Sequence, residues 1–154
     1  MKSLRADIGH AEKRAKELKS ELDANKLQNS DPRYKEYAGY VDIVNQALGL
    51  AEKSWKELEW IEGKLNGLLK ELDSHKDKVL TKADIERIIK QLEDLSKEID
   101  ALGVDVGKLK DLMNDETYNK IKDFLKQLRG DLMYEAEKKL KQVDADLDKL
   151  LWRV

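Results

Sequence analysis

The chain has 154 residues, 40% hydrophobic and 40% charged, with 30 basic against 32 acidic side chains for a net charge of −2. So even a balance implies no phosphate-binding face, which argues against nucleic acid as a partner, and the absence of cysteine removes disulfides and thiol chemistry. No apolar run approaches the roughly 18 residues of a membrane span, and Met1–Asp7 lacks the apolar core of a signal peptide, so the chain is expected to stay where it is made.

High charge with unbroken helical periodicity reads as long amphipathic helices with wide solvated faces. The first helix is expected over about 3–26, where Leu4, Ile8, Ala11, Ala15, Leu18 and Leu22 recur at steps of three and four. The polar run Gln28-Asn29-Ser30 makes a short turn, and short turns join antiparallel neighbours. Asp31-Pro32 then has the form of a helix start, an acidic cap followed by proline where its missing N–H costs nothing.

The second helix, about 32–75, is expected to be the spine of the molecule. One stripe runs through Tyr34, Tyr37, Val41, Val44, Leu48, Ala51, Trp55 and Leu58, and a second through Tyr40, Ile43, Ala47 and Leu50. Two adjacent stripes make a face that needs more than one neighbouring helix. After Leu58 the stripe shifts phase to Ile61, Leu65, Leu68 and Leu72, which moves the seam around the helix. Folding the first helix back places Leu22 near Tyr37 and Leu4 near Trp55, so a change of partner is expected between Trp55 and Ile61. Trp55 should be buried where one partner ends and the next begins.

The third helix is expected over about 82–102, after a fold-back near Lys78. Thr81 with Asp84 resembles a capping box, and Ile85, Ile88, Leu92, Leu95, Ile99 and Leu102 form its stripe. Gly103 stands where a C-terminal cap glycine belongs. This register puts Ile85 near Leu72 and Leu102 near Trp55, so the first and third helices should meet end to end on the spine. A short helix over 105–113 follows. A fourth long one, about 115–152, is capped by Asn114 or Asp115. Its stripe is Tyr118, Ile121, Leu125, Leu128, Leu132, Ala136, Leu140, Val143, Leu147 and Leu150. The fold class is therefore all-α: one elongated antiparallel bundle over 1–154, four long helices and one short one organised on a central helix.

No constellation completes a chemical site. Gly103-Val104-Asp105-Val106-Gly107-Lys108-Leu109 approaches a phosphate loop, but the spacing is one residue short and Leu109 replaces the metal-binding hydroxyl. Asp144, Asp146 and Asp148 alternate as in a calcium loop, yet Lys149 occupies the glycine position. Asp7 with His10 and Glu71 with His75 share helical faces without completing a di-metal carboxylate set. Glu57, Glu59 and Glu62 flank the seam, and Lys13-Arg14-Ala15-Lys16 is offset by Glu12 and Glu17; both groups read as solvated faces. Tyr34, Tyr37 and Tyr40 read as core and rim. Catalytic, cofactor and metal residues are thus expected to be absent, and no enzyme activity is expected. Trp60, Gly63 and Gly67 stand apart. They share a face offset from the seam, and two glycines inside a helix call for a reason: either close packing within the chain or contact with a partner protein.

Long helices, a shared spine and a phase shift where partners change resemble spectrin-repeat-like three-helix scaffolds. Balanced Lys and Glu, a single proline at a helix start and no recognisable site are similar to computationally designed helical proteins, here one assembled from natural helical fragments because Gly39, Gly49, Gly63, Gly67 and Gly130 interrupt its helices. The design resemblance implies a scaffold whose property is its fold. The spectrin-like one implies a natural scaffold or protein–protein interaction module. Neither requires a partner, nucleic acid or membrane; a monomer is expected, with a helix-mediated dimer as the alternative.

Overall fold

The computed structural model describes residues 2–75 and 79–153. Among them stand four helices and no strand: α1 (Lys2–Ala24), α2 (Tyr34–Ser74), α3 (Lys82–Leu112) and α4 (Asp115–Arg153). The fold-back expected at Lys78 and the Leu132 side chain lie outside what is described.

The α1–α2 pair forms because each helix carries a stripe that water disfavours. Ile8, Ala11, Ala15, Leu18 and Leu22 are buried on α1, and Tyr37, Val44, Ala47, Ala51 and Leu58 on α2. Each fully buried large side chain contributes about 1.5–3 kcal/mol. Antiparallel register follows from the polar contacts along the seam. Tyr37 donates its hydroxyl proton to the Leu22 carbonyl at 2.9 Å, Lys19 reaches Asn45 at 3.0 Å, and Trp55 reaches Glu12 at 2.9 Å. The turn before α2 is tighter than a simple N-cap. The Asp31 carboxylate accepts from the Arg33 N–H at 2.9 Å and the Tyr34 N–H bonds the Asp31 carbonyl, so the regular helix starts at Tyr34 and not at residue 32.

At its far end α1 reaches beyond the expected register. Arg5 pairs with Glu62, two turns past Trp55. Trp55 is therefore not enclosed at a junction of helix ends. It is half-buried on the flank facing α1, and the enclosed positions at that height are Ser54 and Leu58.

The α3 helix packs antiparallel to α2 in the register its stripe implies, with Glu71 paired to Arg87 and Lys53 to Asp105 at 3.4 Å. The Thr81–Asp84 capping box is present. Gly103 does not end the helix. Val106 and Leu109 continue the buried line of Ile88, Leu95 and Leu102, and neither Gly103 nor Gly107 adopts a positive φ. The separate helix expected over 105–113 is instead the last part of α3, because continued burial outweighs the roughly 1 kcal/mol that each helical glycine costs. One consequence is that α1 and α3 overlap where they were expected to abut: Lys110 pairs with Asp7 at 3.5 Å.

Only Met113 and Asn114 separate α3 from α4. Asn114 accepts from the Thr117 N–H at 2.8 Å, the N-cap arrangement. The helix then descends beside α1, parallel to it: Asp115 meets Arg14 and Lys122 meets Glu21. Ile121, Phe124, Leu125 and Leu128 are buried. At Asp131, which pairs with Arg33 at 2.7 Å, α4 is level with the α1–α2 turn. Beyond Leu128 every α4 side chain described is exposed.

The core thus occupies the middle of the molecule. From one end projects a two-helix hairpin, the outer halves of α2 and α3. From the other projects the outer half of α4, alone.

Candidate interaction site

The residues with chemical potential are spread along the helices. His10 is exposed and its neighbour Asp7 is held by Lys110. Glu71, beside His75, lies against Arg87, which holds its carboxyl below the usual range. Asp144, Asp146 and Asp148 are exposed on outer α4, with Gln142 donating to Asp146 at 3.2 Å. Gly103–Lys108 lies inside α3 and forms no loop. Among the described residues no group of three His, Asp or Glu side chains is placed to hold a metal ion, and no helix is long and apolar enough to cross a membrane.

The basic run on α1 divides. Lys13 and Lys16 are exposed, but Arg14, read as part of a solvated face, is drawn into packing. It donates to the Met113 carbonyl at 3.1 Å, pairs with Asp115 at 2.7 Å and lies over the Tyr118 ring at 4.6 Å. Tyr118 donates to Glu17 at 2.9 Å, and Lys122 lies between Glu17 and Glu21. The Lys122 and Tyr118 hydrogen bonds hold the Glu17 carboxyl below its ordinary pKa, while those same carboxylates push the Lys122 ammonium up. This cluster fastens the start of α4 to α1. Its signal in the sequence was hidden, since its members belong to two helices about a hundred residues apart.

Tyr37 is buried, as a core position should be, and Tyr40 packs edge-on to Phe124 with ring centroids 5.1 Å apart. Burial, reinforced by the Glu36 carboxylate that accepts its proton, raises the Tyr40 hydroxyl to about 12. Of the flanking acids, Glu59 is exposed and Glu62 pairs with Arg5, but Glu57 is drawn in against α3. Burial first, and then the neighbouring Asp105 carboxylate, push its carboxyl up, with Lys53 partly offsetting them.

Trp60, Gly63 and Gly67 do come together. With Lys64, Leu68 and Glu71 they form one wall of an open groove of about 540 Å³, whose other wall is Gln91, Asp94 and Leu95 of α3. Trp60 is half exposed, and a Cβ built on either glycine meets nothing within 4 Å. Among the described residues, no other part of the chain packs close against these glycines.

Two apolar seams are uncovered; on the hairpin Leu69 and Ile89 add to the stripe positions Leu72, Ile85 and Leu92. On the hairpin, Leu69, Leu72, Ile85, Ile89 and Leu92 are between 42% and 60% exposed. On outer α4, Leu140, Val143, Leu147 and Leu150 keep their three-and-four spacing at 52–64% exposure, and Trp152 is 90% exposed. Exposed apolar patches occur at protein or membrane contact surfaces, in ligand grooves and on aggregation-prone faces. Comparison of the chain with protein-family models, with curated proteins and with solved structures finds no match.

Proposed function

We propose that the chain is a helical interaction scaffold, whose working parts are the apolar seams at its two ends and whose middle holds them apart in a fixed orientation. The observation that carries this reading is the outer half of α4: a helix with a regular apolar stripe and no buried side chain among those described. A solitary amphipathic helix is marginal in water and gains stability by laying its apolar face on a partner. The Trp60–Gly63–Gly67 groove is a further contact face on this reading, its glycines leaving room for a backbone to come close.

An enzyme would need convergent polar groups in a concave site. The polar clusters here instead clamp one helix to another, which favours a binding or structural role. The inert designed scaffold expected from composition remains the second reading, and the uncovered seams weigh towards the interacting one.

The test uses an apolar fluorescent dye in dilute solution. Replacing Leu140 and Leu147 with Gln should reduce dye binding at unchanged helical content and melting temperature. Loss of the fold in that variant would mean the seam belongs to the core and would overturn the reading.

A further inference from the structure

We infer that copies of this chain dock head to tail, the outer half of α4 in one copy lying along the hairpin seam of the next. The inference rests on the scaffold reading above and names the partner. The two seams lie at opposite ends of the molecule, so a single chain cannot close one on the other, whereas two copies can.

The hairpin seam is the continuation of a seat already filled lower down. There α1 is the third helix beside α2 and α3, and it begins level with Glu62, where Arg5 pairs. Above that level α2 and α3 continue with no third helix among the described residues. Leu72 lies two heptads after buried Leu58, and Leu92 two heptads before buried Val106, so the uncovered side chains extend the face that packs in the core. Leu69 lies one heptad beyond Glu62, the residue that meets α1.

Outer α4 fits this empty seat in direction and length. It runs parallel to α1, as the Arg14–Asp115 and Glu21–Lys122 pairs require. In a second copy shifted along the long axis without turning over, it therefore arrives antiparallel to α2, as α1 does. Residues 132–153 of α4 span about 33 Å at 1.5 Å per residue, against about 18 Å for residues 63–74 of α2, so α4 also clears the turn that caps the hairpin. Its end then meets the start of the next α1. Residues 132–153 carry five acidic and five basic side chains, so no long-range repulsion opposes the approach. The contact joins two different surfaces and does not close on itself, which generates a linear array.

Sedimentation velocity of the full chain, with two double variants, tests this. Val143→Asp/Leu147→Asp breaks the donor seam, and Leu69→Asp/Ile89→Asp breaks the acceptor. All four positions are exposed, so helical content should hold; Gln versions replace either variant if it does not. The wild-type chain should grow past dimer as concentration rises. Each variant alone should lose association at least about 100-fold, since every apolar group removed from an interface is worth about tenfold or more. Mixed together, they should form a 1:1 heterodimer and stop, because only one intact donor and one intact acceptor remain. Self-association of the acceptor variant alone would show a symmetric α4–α4 contact and overturn the inference. A wild-type chain that stays monomeric up to about 200 µM, far above the micromolar range of ordinary contacts, would overturn it too, while dye binding by the seams would leave the scaffold reading standing.

Discussion

The indole N–H of Trp55 donates to the Glu12 carboxylate at 2.9 Å, with the Arg5 guanidinium 5.8 Å from the indole ring. The residue is thus tied to α1 by its polar edge and packs by its body, at the flank of the core. Trp55→Ala should cost about 2 kcal/mol, less than the 3–5 typical of an enclosed tryptophan, because part of the side chain already meets water. Trp55→Phe should cost about 1 kcal/mol, from the hydrogen bond and the outer part of the ring. Trp60→Ala, on the open groove, should be nearly neutral. Urea titrations of the three variants check the order.

Ser54 lies at the centre of the α2 seam, fully buried, and its hydroxyl has no hydrogen-bond partner among the described residues. A buried polar group left unpaired costs about 1–3 kcal/mol. Ser54→Ala should therefore stabilise the chain by about 1 kcal/mol and raise its melting temperature by about 2–4 °C at this size. Calorimetry of the variant beside the wild type gives the answer.

Much of the fold was legible in the sequence, and the exceptions have physical causes. The stripes identified the long helices, and the α2–α3 register followed from matching Leu72 to Ile85 and Leu102 to Trp55, as the Lys53–Asp105 pair bears out. Gly103 misled because a glycine at a plausible helix end has the same appearance whether or not the chain adopts a positive φ there; the burial of Val106 and Leu109 decides it. Trp55 was misplaced by seven residues of overhang, a quantity fixed by contacts between helices and not by either stripe alone. That Trp60, Gly63 and Gly67 share one face could be read from their spacing. Periodicity marks a face as apolar, but whether that face is covered depends on where its neighbours stop, so the outer seams could not be recognised as open.

Glu57 gives the α2–α3 packing a pH dependence. One of its carboxylate oxygens is buried without a hydrogen-bond partner among the described residues, and its pKa is raised by burial and by Asp105. A pKa raised in the folded state means the fold prefers the protonated acid. This contribution is complete below the unfolded value, near 4.5, and is lost as pH rises through the raised folded value. Glu57→Gln, a neutral mimic of the protonated acid, should raise stability at neutral pH and leave it unchanged below about pH 4. Melting curves across that interval provide the check; equal effects at both ends would contradict the assignment.

Gly63 and Gly67 have open space around the Cβ position and no positive φ. Gly63→Ala and Gly67→Ala should each stabilise the isolated chain by up to about 1 kcal/mol, the difference in helix propensity. A destabilising effect in thermal melts would reveal close packing of the chain against that face.

The central claim is that the middle of the molecule is a closed core and that α4 leaves it uncovered beyond Leu128. Residue-resolved hydrogen exchange, at a concentration where the chain is monomeric, tests this directly, because amide protection follows the free energy of local opening. Amides in α1, in residues 37–61 of α2 and in residues 115–128 of α4 should be the slowest, opening only with the whole domain. Those in residues 133–152 should exchange orders of magnitude faster, as a solitary amphipathic helix does. Protection of 133–152 equal to that of 115–128 in the monomer would mean the outer helix is covered within its own chain, and would contradict the account.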